Sequence, residues 1–305
     1  AATGRLRVVD ELIVIPRRAW SGWSLSRRLS ELRSILERLK ALAFDASLDL
    51  QGLAKSALAA RLAGIPKRIG FGGREGKELS RLLNNTLVTP EEAERHVVER
   101  NLALLRPLGM NGASVRFPRP SVESRVVKIF LARERLSRQG FAVMNPGGGW
   151  PAKRWPLERF CALAQGLEKD PGLRIVVAWG NQEEKKMAEA IVQSAPLSCM
   201  MAPETDLREL WALLAQGALF VGGDTGPLHM AAAAGVPTVA LFGPTSGLRN
   251  GPYGAGHRMI QGRCANHPHC WKRRHREACT CMQSIAVEEV LEACRSLGKK
   301  RGDEG

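Results

Sequence analysis

Aromatic side chains are scarce in this 305-residue chain: they make up 5% of it, with a single Tyr. A stacking platform for single-stranded nucleic acid needs rows of such rings, so the composition gives it little support. No zinc-finger, RNA-recognition or leucine-zipper pattern is present either. Long apolar runs are also lacking. None approaches the ~20 residues needed to cross a bilayer, and no signal-peptide pattern is visible. Acidic residues are outnumbered by basic ones, 30 against 45, for a formal net charge of +15. Such an excess implies an anionic partner: nucleic acid, an acidic membrane face or phosphorylated small molecules. Lys and Arg are spread along the chain instead of forming one basic tract, which argues against nucleic acid. The seven Cys are an odd number in a long chain. They read as thiols of a reducing compartment, by default the cytoplasm.

What is present is strand–helix alternation. Leu12–Ile15 reads as a strand closed by Pro16, and Ser24 to Leu42 as a helix with leucines at helical spacing. Strands are expected at Ala46–Leu50 and Lys67–Phe71, a helix at Leu53–Ala63, and a long helix at Glu92–Leu108 ended by Gly109. Asn111–Ser121, with Pro118 and Pro120, reads as a linker. After it the alternation restarts. A helix is expected at Arg125–Gln139, then strands near Phe141–Met144, Arg174–Ala178 and Leu197–Met201 with helices between them. Alternation of this kind means parallel sheets covered on both faces. The expected domains are 1–120 and 121–305, each Rossmann-like and facing a cleft, with the last helix, Val287–Leu297, returning to the first domain.

The segment Phe220-Val-Gly-Gly-Asp-Thr-Gly-Pro-Leu-His229 is the most informative. It reads as a strand end, a glycine turn and a helix start, with Pro227 in the first turn, where a missing N–H is tolerated. The spare N–H groups and the dipole of such a helix receive a phosphate. Asp224 and His229 lie beside it. Asn145-Pro-Gly-Gly-Gly-Trp-Pro-Ala-Lys-Arg-Trp-Pro156 also joins a strand to a helix. Its glycines let a ligand approach the backbone, and Lys153 supplies positive charge. It matches neither the P-loop nor the G-x-G-x-x-G spacing, and a solvated turn anchored by Trp is the alternative. Glu183 or Glu184, after Trp179-Gly180, either meets a ribose or caps the helix. Lys55 and Ser56, after the Asp49-Leu-Gln-Gly52 turn, either meet an anionic acceptor or serve that turn. Arg17, Arg18, Trp20, Trp23, Arg27 and Arg28 mix basic and indole groups, suiting a membrane interface or a solvated helix face. Cys264, Cys270, Cys279 and Cys281 have spacings that fit no standard zinc module, near His267, His269 and His275. They read as reduced thiols in an irregular loop, with no metal expected; a structural metal site is the alternative.

Together these motifs resemble the family 9 glycosyltransferases, the bacterial ADP-heptose:lipopolysaccharide heptosyltransferases. The resemblance runs in order through Asp49-Leu-Gln-Gly-Leu-Ala-Lys-Ser56, Gly70-Phe71 with Arg74-Glu75, Asn145-Pro-Gly through Lys153-Arg-Trp-Pro156, Trp179-Gly180 with Glu184, Gly223 to His229, and Phe242-Gly-Pro-Thr245. It implies a GT-B fold and an inverting, metal-independent transfer of heptose to a Kdo or heptose of the lipopolysaccharide inner core. The donor is ADP-L-glycero-D-manno-heptose, no cofactor is needed, and the enzyme works at the cytoplasmic face of the inner membrane. By motif, Gly148, Gly149 and Lys153 hold the diphosphate, and Glu184 the ribose. Asp224, Thr225, Gly226 and His229 hold the sugar-diphosphate, with Lys153 and Asp224 catalytic. Gln51, Lys55, Ser56 and Arg74 are the expected acceptor residues.

Two departures accompany the resemblance. Some members carry hydroxyl residues at Gly148 and Gly149, so here backbone donors must suffice. The family also opens with a strand and a Ser-x-Gly-Asp turn whose Asp is its general base, and this chain shows no such turn. The expectation is therefore a chain that binds an ADP-type ligand and transfers poorly. The competing readings are a GT-B enzyme using another nucleotide sugar, such as UDP-N-acetylglucosamine, and a nucleotide-binding or nucleic-acid-binding protein without activity.

Overall fold

The computed structural model describes residues 9–15, 22–73, 75–77, 79–111, 114–169, 173–265, 270 and 279–299. The chain forms two compact units, which divide between Val115 and Arg116, inside the Pro-containing stretch read as a linker.

The first unit contains helix α1 (Leu25–Ala41), strand β1 (Ala46–Leu48), α2 (Ala54–Leu62), β2 (Lys67–Phe71), α3 (Ser80–Leu83), β3 (Thr86–Val88) and α4 (Val97–Ala103). The strands form one parallel sheet in the order β1-β2-β3. Ile69, Phe71, Val88, Ala103 and Leu104 make its core. Two expectations need correction here. Leu12–Ile15 is not a strand. The long helix expected over Glu92–Leu108 is shorter because His96 starts it late: its Nδ1 accepts from Val98 N at 3.1 Å, while Glu99 accepts from His96 N at 3.0 Å. That reciprocal cap satisfies two donors that would otherwise need another helical turn. Pro107 then sits in a separate one-turn helix, Arg106–Leu108, closed by Gly109 at φ +79°.

The second unit contains α5 (Arg125–Arg133), β4 (Phe141–Asn145), α6 (Leu157–Glu168), β5 (Arg174–Val177), α7 (Gln182–Ser194), β6 (Cys199–Met201) and α8 (Leu207–Leu214). It continues with β7 (Leu219–Gly223), α9 (Gly226–Ala233), β8 (Thr238–Phe242), α10 (Gly247–Asn250), β9 (His257–Gln261) and α11 (Val287–Lys299). Its six strands are parallel, in the order β6-β5-β4-β7-β8-β9. The fully buried strands read as continuous apolar runs, as a sheet covered on both faces requires. Period-two alternation sends Ala142, Met144 and Val221 into one layer with Trp155, Phe160 and Leu163, and Phe141, Val143 and Phe220 into the other with Phe130, Leu213 and Phe242.

The expected helix Arg125–Gln139 stops at Arg133, and Arg135 and Gln139 both take positive φ. Helix α11, expected to return to the first domain, packs on the sheet and helix of its own unit. Val290, Cys294 and Leu297 join the layer of Phe160 and Leu167. The Leu291 side chain comes so close to Gly166 on α6 that a Cβ there would meet it at 3.0 Å.

Candidate functional site

The strand order of the second unit reverses between β4 and β7. From β4 the chain winds outward through β5 to β6, and from β7 it winds the other way to β9. The connections after β4 and β7 therefore leave on opposite faces and open a crevice at their carboxyl ends. A cavity of about 760 Å³ lies there, lined by Asn145, Gly148, Gly149, Lys153, Glu184, Asp224, Thr225 and Gly226, among others. Seven of the second-domain positions singled out by sequence thus share one cavity. The eighth, His229, reaches it through Asp224, with Nε2 at 3.5 Å from Oδ1.

Close backbone packing holds the two loops together. A Cβ on Gly222 would meet the Asn145 carbonyl at 2.8 Å, and one on Gly223 the Lys153 carbonyl at 3.1 Å. Gly149 and Gly226 differ: a Cβ at either would meet nothing within 4 Å. Across the gap Lys153 Nζ donates to Asp224 Oδ2 at 2.5 Å and to its carbonyl at 3.3 Å. Thr245 Oγ1 donates to the same Oδ2 at 2.9 Å. Burial pulls the Asp224 pKa up. Hydrogen bonds from His229 and Lys153, the Lys153 charge and the Thr245 hydroxyl outweigh it, so the net shift is downward and the group is a carboxylate. The Lys153 ammonium also lies 4.3 Å from the Trp150 ring centre.

Lys153 and Arg154 face Glu184, Asp206 and Asp224 around the cavity, so side-chain charge alone does not make it an anion receptor. Each carboxylate is already engaged. Asp206 caps α8 by accepting from Arg208 N and Glu209 N, both at 2.8 Å. Glu184 accepts from Gly180 N at 2.8 Å, on α7, which Asn181 caps. Glu183, the other ribose candidate, pairs instead with Arg154; the hydrogen bond and charge of that guanidinium lower its pKa. Helix α9 is the exception among the three helices starting here. Its N-cap Thr225 makes no capping bond, because Oγ1 donates backward to Gly223 O at 3.2 Å. The first-turn N–H groups of α9 and the positive end of its dipole remain for a ligand.

Sequence reading missed several lining residues: Arg154, Asn181, Thr205, Leu207 and Leu210. Thr205 and Leu207 follow β6, whose three residues give little periodicity to mark the turn beyond them. Thr245 was visible in the Phe242-Gly-Pro-Thr245 motif, but its bond to Asp224 was not.

In the first unit Gln51 and Lys55 are exposed. Ser56 donates to Asp49 Oδ1 at 2.7 Å and to Leu53 O at 2.9 Å. Buried Asp49 also accepts from Gly52 N and Asn84 Nδ2. The Ser56 hydroxyl therefore serves the turn. Arg74 lies outside the described residues, as do Arg17, Arg18, Trp20, His267, His269 and His275.

The profile of glycosyltransferase family 9 (heptosyltransferase) matches residues 32–280. The chain belongs to this family. Among family 9 relatives, lipopolysaccharide heptosyltransferase 1 of Escherichia coli K12 is 28% identical over 249 residues, 81% of this chain and 76% of the relative. Lipopolysaccharide heptosyltransferase 2 of the same strain is 31% identical over 236 residues, 72% and 65% of the two chains. The solved E. coli heptosyltransferase WaaC with ADP shares the fold at a TM-score of 0.71 and 24% identity, covering 95% of this chain and 85% of WaaC. The E. coli ADP-heptose lps heptosyltransferase II superposes at 0.67, with 25% identity and coverage of 90% and 82%. The family 9 chain thus has the GT-B class of fold, with both units built on parallel sheets.

Proposed function

We propose that this family 9 protein transfers heptose from ADP-L-glycero-D-manno-heptose to the lipopolysaccharide inner core, with a Kdo or heptose as acceptor. The observation that carries the reading is the meeting of Lys153 with the uncapped start of α9 in one cavity. The diphosphate lies against Gly148, Gly149, Thr225 and Gly226. Glu184 faces the ribose, and the apolar wall of Trp179, Leu207 and Leu210 takes the base.

An inverting displacement forms a bond from an acceptor oxygen to the anomeric carbon as the bond to the departing phosphate oxygen breaks and the acceptor hydroxyl passes its proton to a general base. Negative charge grows on the diphosphate, and preorganised donors lower the barrier by meeting it there. Lys153 and the α9 N-terminus supply those donors. Asp224 and Thr245 position Lys153, and His229 steadies Asp224 from the other side. Gln51 and Lys55 meet the acceptor from their exposed turn.

Helix α1 supports contact with the cytoplasmic face of the inner membrane. It has no buried residue, Leu25 and Leu29 are exposed, and Arg27 stacks over Trp23 at 4.1 Å. Among the described residues no helix is long and apolar enough to cross a membrane.

The test is calorimetric titration with ADP and UDP, with transfer assayed from ADP-heptose to a lipid A–Kdo acceptor. ADP binding that saturates and excludes UDP supports the reading. Preference for UDP assigns the cavity to another nucleotide sugar and overturns it.

A further inference from the structure

Four cysteines that sequence spacing left as loop thiols converge in space. The Sγ atoms of Cys264, Cys270, Cys279 and Cys281 all lie within 4.8 Å of one another. Three separations are 3.2 Å (Cys264–Cys270), 3.2 Å (Cys264–Cys281) and 3.7 Å (Cys270–Cys281). A disulfide would draw one pair to about 2.05 Å and leave the rest behind. Four free thiols gathered in one place, with no pair at bonding distance, describe the corners of a polyhedron instead. A tetrahedral zinc with Zn–S of about 2.3 Å sets S···S edges of about 3.8 Å, which lies between the shortest separation of 3.2 Å and the 4.8 Å limit. An iron–sulfur cluster would place its own irons and sulfides between the thiols, for which these separations leave no room.

We propose that Cys264, Cys270, Cys279 and Cys281 bind one structural zinc ion. Cys270 and Cys281 are buried, while Cys264 and Cys279 are half-buried. Four thiolates fill every position of a tetrahedral ion, so the site is closed and leaves no place for substrate. The need for it is visible in the sequence. Between Cys264 and Cys281 the chain carries Arg273, Arg274, Arg276 and Lys272 but few apolar side chains, too few to hold the segment by packing. A metal cross-link replaces that missing core.

The ligands also sit on anchored backbone. A Cβ on Gly262 would strike the Cys281 carbonyl at 2.1 Å, and one on Gly243 would strike Met282 Cγ at 2.7 Å. The turn after Cys281 therefore backs the Gly243–Thr245 loop, whose Thr245 hydroxyl bonds Asp224. The zinc fixes this turn from behind.

The test uses the full chain, purified without chelator. Elemental analysis is expected to give one zinc per chain, and a mercurial thiol reagent to release it in proportion to thiols blocked. The protein refolded with Co²⁺ is expected to show the intense thiolate-to-cobalt and tetrahedral ligand-field bands. Cys279→Ser and Cys264→Ser are each expected to lower metal content to below one tenth of the wild type. Cobalt substitution of the wild type keeps the test decisive if these variants fail to fold. Wild-type protein without stoichiometric metal, a Co²⁺ spectrum lacking thiolate bands, stoichiometric iron in place of zinc, or zinc retained by folded variants would each overturn the proposal.

Discussion

Lys153 Nζ stands 2.5 Å from Asp224 Oδ2, although the two residues are 71 positions apart. Both side chains are largely withdrawn from water, at 13% and 10% exposure. The pair places an ammonium at the cavity wall without relying on a flexible surface side chain.

If that ammonium meets growing charge on the leaving diphosphate, Lys153→Ala acts on turnover more than on binding. Loss of one such donor lowers kcat by about 10²–10³-fold. The ADP dissociation constant, read by calorimetry, is expected to move far less. An unchanged kcat would remove Lys153 from the reaction.

Asp224 makes acid stability a readout of the same pair. Its pKa is lowered on folding, so its ionic contribution is fully present above the unfolded value of about 3.9 and fades as pH falls through the folded value. Asp224→Asn lacks that contribution. The stability gap between wild type and variant, from urea titrations, is expected to be widest near neutrality and to narrow below about pH 4. A gap that ignores pH contradicts this.

His257 sets a second pH window. Burial lowers its pKa, and its Nδ1 lies 3.0 Å from Thr238 Oγ1. The unfolded chain takes up the proton first, so stability is full above about pH 6.5 and declines below it. His257→Gln is expected to flatten the decline between about pH 6.5 and 5. NMR titration gives an independent check, because a midpoint at or above that of a model imidazole would rule the effect out.

Gly226 separates ligand binding from folding. A Cβ there meets nothing in the protein, so Gly226→Ala is expected to change stability by less than about 0.5 kcal/mol. A diphosphate seated on the α9 N-terminus would meet the added methyl, and ADP affinity is expected to fall about tenfold, or ~1.4 kcal/mol. Undiminished affinity in a folded variant would move the phosphate elsewhere.

Trp155 reports on packing beside the site. It is 1% exposed, packs edge-on to Phe160 at 5.0 Å, and donates to Ile285 O at 3.1 Å. Trp155→Ala is expected to cost about 3–5 kcal/mol, measured by chemical denaturation. A cost under about 1 kcal/mol would mean that α11 and the Ile285 turn are held by other contacts.

Much of this architecture was readable from residue order. Helical leucine spacing marked α1, apolar runs marked β4, β5 and β7, and glycine turns marked the carboxyl ends of β4 and β7. These signals lie among near neighbours, where propensity, capping and turn chemistry act. Two strands escaped: β3, of three residues, and the edge strand β9, His257–Gln261; neither carries an apolar run. The helix over Glu92–Leu108 was misread because the cap joining His96 to Glu99 competed with its periodicity. By itself, then, the amino-acid order determined the α/β class and marked the loops that line the cavity. Only the tertiary structure decided that Lys153 pairs with Asp224, that α9 alone of three helix starts lacks a cap, that α11 covers its own sheet, and that four thiols meet. Strand order and the paths of intervening loops bring distant groups together, and neither is encoded in the spacing of the residues they join.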